Sequence, residues 1–154
     1  MRIFLSLTLN LKHPRAMGTR RQARERAVQF LFQFDMNPDE DLDSMLEHFW
    51  LHQRPEVIEL LEGKSSWGEQ KEIPPPTAGD LTIQQFAEPL VRGVVENRDS
   101  IDRKLASHAA NWDLHRMAGV DRNILRLAVY EMLHRKDIPP VVSINEAVDI
   151  AKKY

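Results

Sequence analysis

The segment RRQARERAVQFLFQFD, residues 20–35, begins with a cluster of arginines and ends in a run of aromatic residues. Its small and apolar side chains recur with the i, i+4, i+7, i+8, i+11 spacing that is typical of one buried face of an α-helix. The members of this face are Ala23, Ala27, Phe30, Leu31 and Phe34. The segment therefore predicts a core helix, and Pro38 predicts its end because proline cannot continue the helical hydrogen-bond ladder.

The side of this helix that faces away from the core has a different chemistry. Four residues lie about 100° to 160° around the helix from the centre of the buried face, so we expect them outside the core. They are Arg21, Glu25, Val28 and Phe32. Arg20 and Arg24 lie at the edges of the buried face, and their long side chains are expected to reach the same surface.

Guanidinium groups beside an aromatic ring are typical of proteins that bind single-stranded nucleic acid, because the cations bind phosphates and the ring stacks on a base. Free backbone N–H groups in the first turn of the helix would also favour a phosphate. The alternative is a solvated basic helix start with Phe32 packed against a neighbouring helix. Residues 12–26 hold six Lys or Arg and one acidic residue, although the whole chain has a net charge of -2. Any polyanion site is therefore expected to be local.

The composition of the chain limits its class. With 154 residues, 42% hydrophobic and 29% charged, it can form one folded core of ordinary size. The absence of cysteine favours a reducing compartment, and no apolar run reaches the roughly 20 residues that cross a bilayer. We therefore expect a cytoplasmic protein without membrane contact. Residues 1–16 carry no helical pattern and are predicted to be a disordered or non-native leader.

The rest of the chain is predicted to form further helices, some before and some after a single linker. Helices are predicted over 42–52 and 55–63, and residues 64–80 are predicted to be a linker rich in Gly and Pro. Helical patterns then run to the end, with a break near 97–100. The sequence predicts an all-α fold of two small helical bundles, 17–63 and 81–154.

Three further expectations concern the second bundle. Gly93 inside a helical run predicts a close helix crossing, which would offset its low helix propensity. Residues 119–135 predict the central helix, with Arg122 and Arg126 on its exposed strip and Asp121 beside them as a possible partner contact. Ser143, followed three residues later by a glutamate, predicts an N-cap with a capping box.

Catalytic and metal-binding patterns are not evident. His48 and His52 have the i, i+4 spacing of metal ligands, but the sequence offers no third ligand. There is no cysteine nucleophile and no glycine-rich phosphate loop or nucleophile elbow. The sequence predicts a protein without enzymatic activity, cofactor or metal.

Four segments follow one another along the chain: RRQARERAVQFLFQFD, FAEPLVRGVVENRDSID, VDRNILRLAVYEML and IPPVVSINEAVDIAKKY. In this order they resemble the NusB family of bacterial transcription antitermination factors. The resemblance implies an all-α protein that binds the boxA element of ribosomal RNA leader transcripts as a heterodimer with NusE, a small-subunit ribosomal protein. It also implies assembly with RNA polymerase and other Nus factors, and no catalysis.

The resemblance also implies positions for the binding residues. The arginine-rich helix start of the family falls on Arg20, Arg21 and Arg24, its aromatic residue on Phe32, and the acidic residue that opens the central helix on Asp121. The residues assigned to RNA binding are Arg20, Arg21, Arg24, Gln29 and Phe32. The residues assigned to partner binding are Asp121 and Arg122.

Three departures and two alternatives accompany this assignment. Gln22 stands where a third arginine is common in the family, and the leader before Met17 has no family counterpart. The helix that usually closes the second bundle is expected to be absent. Without that helix we expect Leu125, Leu133 and Val148 to lack part of their cover. The alternative functions are the NusB-like RNA-binding domain of a ribosomal RNA cytosine methyltransferase and a helical scaffold that binds only protein. A homodimer is also possible.

Overall fold

The computed structural model describes residues 19–63 and 72–154. The described residues form α-helices, one short 3₁₀ turn at Leu114–Arg116 and no strand, which confirms the predicted all-α fold. The helices are α1 Thr19–Met36, α2 Leu42–Leu51, α3 Pro55–Glu62, α4 Ala78–Glu96, α5 Arg98–His108, α6 Gly119–His134 and α7 Pro140–Ala151. The predicted leader, residues 1–16, and residues 64–71 of the predicted linker lie outside the described residues.

Helix α1 is the element around which the others pack. The predicted buried face is confirmed for Ala23, Ala27, Phe30 and Leu31, while Phe34 is partly buried and packs against the same core. The most extensive contacts of α1 are with α4 and α6, which follow the linker in sequence. Side chains from α1, α2, α4, α6 and α7 share one core, so α1 joins the two predicted bundles.

Two helices begin earlier than the sequence pattern predicted. Helix α4 begins at Ala78, within the predicted linker, because Thr77 and Asp80 form a reciprocal capping box. Helix α7 begins at Pro140, a residue type that suits the first helical position. The predicted N-cap at Ser143 is therefore wrong, since this serine lies inside α7 and its hydroxyl is buried.

The predicted close helix crossing at Gly93 is confirmed. The ring of Tyr130 on α6 occupies the space that a Cβ atom at Gly93 would need. Glycine is less favourable than alanine in a helix by about 1 kcal/mol. Here its missing side chain allows α4 and α6 to approach, which offsets that cost through the packing of the tyrosine ring.

The outer faces of α6 and α7 are apolar and exposed. Leu125, Leu133 and Val148 are exposed, as the sequence predicted. Further exposed apolar side chains on these two helices are Met132, Val141, Val142 and Ile144. None of the described helices is both long and apolar enough to cross a membrane.

Candidate nucleic-acid interface

Arg20 is the most accessible cation of the first turn of α1. Its side chain is exposed, and its guanidinium carbon lies 5.5 Å from the centroid of the Phe86 ring on α4. No carboxylate of the described residues lies within ion-pair distance of it. The ring therefore orients a guanidinium group whose hydrogen-bond donors remain available.

Arg21 is directed toward α7. Its Nε and Nη2 atoms donate to Glu146 at 2.9 and 2.8 Å, and Nη2 also donates to Asp149 at 2.8 Å. The hydrogen bond to Glu146 raises the pKa of Arg21, and burial opposes this only in part. Its Nη1 atom makes no hydrogen bond within the described chain, and 37% of the side chain is exposed. Arg21 is thus held in one orientation with one amino group free.

Arg24 points into the protein, so the expectation that it reaches the surface is wrong. Its Nε atom donates to Glu131 of α6 at 2.6 Å, and Nη2 donates to the other carboxylate oxygen at 3.2 Å. The hydroxyl of Ser143 donates to the same carboxylate at 2.7 Å, and all of these groups are buried. Arg24 lies only about 60° around the helix from the centre of the buried face, and Glu131 compensates its charge there.

Glu25 and Val28 are also buried, contrary to expectation. The reason is that α7 packs beside this side of α1 and brings polar partners with it. Lys153, just beyond α7, donates to Glu25 at 2.6 Å. The lateral surface of α1 therefore forms a helix–helix contact over part of its width, and a smaller strip than predicted faces outward.

Gln29 and Phe32 lie on the strip that remains accessible. Phe32 is partly buried, because its ring packs against the start of α6, where a Cβ at Gly119 would lie 3.0 Å from its Cε2 atom. Gln29 donates from Nε2 to the Tyr154 hydroxyl at 3.1 Å and accepts from Arg26 Nη1 at 3.1 Å. Phe32 therefore agrees in part with both predictions made for it. Its ring packs on a neighbouring helix, and it also keeps some exposed surface on which a base could stack.

The two residues assigned to partner binding differ in accessibility. Asp121 is exposed in the first turn of α6, where the negative charge of its side chain interacts favourably with the positive end of the helix dipole. Arg122 is partly buried and donates to Asp35 and to the carbonyl of Leu114, both at 3.4 Å. Asp121 is therefore available to a partner, whereas Arg122 is already bound to groups of its own chain.

Asp35, in the last turn of α1, is the centre of a charge cluster that the sequence did not predict. Its carboxylate accepts hydrogen bonds from Arg126 at 3.0 Å and Asn123 at 2.9 Å, and it forms an ion pair with Arg98 at 2.9 Å. Arg126 is buried, so its predicted place on an exposed strip is wrong. Burial alone would lower the pKa of Arg126, but its bonds to Asp102 and Asp35 outweigh burial and raise it.

The outward strip of α1 can offer several kinds of contact to a single strand. It runs from Arg20 and Arg21 to Phe32, over about 18 Å of helix length. Guanidinium donors at its start suit phosphates, and the amide of Gln29 and the ring of Phe32 suit bases.

Among the described residues there is no group of three or more side chains that could hold a metal ion. The rings of His48 and His52 stack on each other at 4.0 Å.

Comparison with known families gives one consistent result. Residues 21–154 match the model of the NusB family. The transcription antitermination protein NusB of Methylacidiphilum infernorum is 40% identical over 138 residues, which cover 90% of this chain and 80% of that protein. NusB of Myxococcus xanthus is 39% identical over 138 residues, with coverages of 90% and 84%.

Solved structures lead to the same group of proteins. NusB of T. maritima superposes with a TM-score of 0.62 at 34% identity and covers 88% of this chain and 78% of that one. A crystal structure of the antitermination factors NusB and NusE in complex with double-stranded RNA gives a TM-score of 0.58 at 26% identity, with coverages of 88% and 83%.

Proposed function

Since this chain belongs to the NusB family, we propose that it binds boxA-type leader RNA of ribosomal RNA operons together with NusE and thereby acts in transcription antitermination. The activity consists of binding and involves no catalysis. Relatives named as antitermination proteins match this chain over about four fifths of their own length, which favours this function over that of a methyltransferase domain. We expect the protein to act in the cytoplasm, with RNA polymerase and other Nus factors.

The open first turn of α1 carries the RNA proposal. Arg20 forms no ion pair within the described residues, although it is near enough to Asp137 to contribute to lowering the pKa of that carboxyl, and Arg21 keeps a free Nη1 group. Both groups lie beside backbone N–H groups that have no partner inside the helix, which together make a favourable environment for phosphate. Phe32, about three turns further along α1, supplies partly exposed ring surface on which a base can stack.

Arg24 supports this surface from inside. Its pair with Glu131 joins α1 to α6, and Ser143 links the same carboxylate to α7. These contacts fix the side of α1 that carries Arg20 and Arg21 relative to the other helices. We therefore assign Arg24 a positioning role in place of the direct phosphate contact that the sequence suggested.

The RNA proposal is tested by measuring fluorescence anisotropy of a labelled boxA-type single strand. We expect the double variant Arg20→Gln/Arg21→Gln to bind at least about tenfold more weakly than the wild type, because two charge-assisted contacts are lost. Arg103→Gln/Lys104→Gln is the matched control, since it removes two exposed cations from α5. Equal affinity of the two double variants, or binding that does not weaken with salt, would contradict the proposal.

The partner proposal concerns the first turn of α6. Asp121 is exposed there, and we propose that its carboxylate contacts NusE. Asp121→Asn is expected to weaken NusE binding in calorimetry while the affinity for RNA alone stays unchanged. If NusE binding persists and neither Arg20 nor Arg21 affects RNA, the chain is a protein-only scaffold. The homodimer stays a prediction, which sedimentation of the free protein checks.

A further inference from the structure

Arg26 differs from the other partly or fully buried arginines of this fold. Arg24, Arg54 and Arg126 each form an ion pair with a carboxylate. Arg26 is partly buried, and no carboxylate of the described residues lies within ion-pair distance of it. Its guanidinium group makes one hydrogen bond, from Nη1 to Oε1 of Gln29 at 3.1 Å. The Nε and Nη2 donors therefore have no partner in the described part of the chain.

A cation in this setting is partly dehydrated and has no opposite charge in contact, while its free donors still reach solvent, since they are not among the fully buried unpaired polar atoms of the described residues. Removing a charge from water is unfavourable unless an opposite charge or hydrogen-bond acceptors replace the solvent. Burial lowers the pKa of Arg26, and the nearby charge of Glu25 opposes this only in part. An anionic ligand that meets the two free donors would supply the compensation that the protein itself supplies to Arg24 and Arg126.

The neighbours of Arg26 indicate which anion fits. Gln29 follows it by three residues and Phe32 follows Gln29 by three, so the three side chains are adjacent in turn on the helix surface. Gln29 also donates to the hydroxyl of Tyr154, which is exposed. Gln29 thus lies between the guanidinium group of Arg26 on one side and the rings of Phe32 and Tyr154 on the other. This arrangement suits a nucleotide strand, because the phosphate can use the cation and the bases can use the rings. An acidic peptide would make no comparable use of them.

We propose that Arg26 binds a phosphate group of the single-stranded RNA through Nε and Nη2, while Gln29 holds its Nη1 group in place. This inference rests on the proposed RNA-binding function and extends its site along α1 to Arg26, beside Gln29 and the Tyr154 hydroxyl that Gln29 binds. Arg26 replaces Arg24 as the third cation of the interface. The strand then crosses the outward strip of α1 between Arg20 and Arg26 at one end and Phe32 at the other.

The test compares Arg26→Gln with Arg103→Gln, which removes an exposed cation of α5 that lies outside the proposed interface. The affinity for a labelled boxA-type single strand is measured at several salt concentrations. One lost phosphate contact is expected to reduce the slope of log K against log salt by about 0.7 and to weaken binding about tenfold at low salt. Arg103→Gln is expected to keep the slope and the affinity of the wild type.

Two further measurements separate binding from a structural role. The thermal midpoint of Arg26→Gln is expected to be equal to or higher than that of the wild type, because the variant removes an uncompensated charge. Arg26→Lys keeps the charge and is expected to restore the salt slope but only part of the affinity, since lysine lacks the planar fork of donors. A fall in thermal midpoint in both variants, without a change in salt slope, would assign Arg26 to the fold and overturn the inference.

The outcomes also separate this inference from the proposed function. Failure of the wild-type protein to bind the RNA would refute the function itself. Wild-type RNA binding with an unchanged affinity and slope in Arg26→Gln would refute only the role of Arg26. If Arg26→Gln weakened NusE binding and left RNA binding unchanged, the ligand of Arg26 would be protein, and the inference would again be wrong.

Discussion

The two ends of α1 use charge in opposite ways. At its start, α1 carries the cations, and carboxylates of α6 and α7 approach them. At its end, α1 carries a carboxylate, Asp35, and arginines of α5 and α6 approach it. Both ends thus join α1 to the second half of the chain through ion pairs, with the signs exchanged.

The difference between the ends follows from the helix dipole and from burial. A carboxylate at the carboxyl end of a helix is unfavourable, so Asp35 requires the cations that surround it. Its side chain is nearly buried, and its arginines are committed to the fold. At the start of α1, Arg20 and part of Arg21 remain free to bind an external anion. The charges at the Asp35 end are therefore used for stability, whereas the start of α1 combines the buried Arg24–Glu131 pair with the exposed surface that we propose binds RNA.

The largest expected effect comes from breaking the buried pair beneath the ligand surface. Arg24→Met leaves Glu131 buried without its cation, which is expected to reduce the free energy of unfolding by about 3–5 kcal/mol. Denaturant unfolding followed by circular dichroism measures this change. The double variant Arg24→Met/Glu131→Leu is the control, because apolar replacement of both partners removes the unpaired charge. A double variant that is no more stable than the single one would contradict this account of Arg24.

The next effect concerns the Asp35 end. Asp35→Asn removes the acceptor shared by Arg98, Arg122 and Arg126, although Arg126 keeps Asp102. The free energy of unfolding is expected to fall by about 3 kcal/mol, near the lower limit for a broken buried pair. Asp39→Asn, an exposed change in the turn after α1, is expected to alter stability by less than about 0.5 kcal/mol. Similar effects of the two changes would show that the cluster contributes little.

The sequence predicted what local periodicity determines. The buried face of α1 and the close crossing at Gly93 depend on residue spacing and side-chain size within one segment. The partly exposed positions of Arg21 and Phe32 followed from the same helical geometry, whereas Glu25 and Val28, predicted on the same side, are buried. The chain's family was also evident from four segments in order.

The partners of the charged side chains could not be predicted in this way. Arg24 lies at the edge of the buried face, so its direction depends on Glu131, which is 107 residues away. The cluster around Asp35 likewise requires three helices to be in place. The pattern at Ser143 matches a capping box, but Pro140 starts the helix earlier, and the glutamate of that pattern, Glu146, instead binds Arg21.

The smallest effects on stability are expected for two partly exposed arginines, Arg21 and Arg98, which lie at opposite ends of α1. Arg21 and Arg98 have nearly equal side-chain exposure, 37% and 38%, and each is paired to carboxylates, one at each end of α1. Arg21→Gln and Arg98→Gln remove the same charge, and each is expected to cost less than about 1 kcal/mol of stability.

The decisive measurement is the salt dependence of RNA affinity in these two variants. Arg21→Gln is expected to weaken binding of the boxA-type single strand and to reduce the slope of log K against log salt by about 0.7. Arg98→Gln is expected to bind like the wild type. Equal losses in the two variants, or a larger loss in Arg98→Gln, would contradict the claim that the start of α1 is the RNA-binding end.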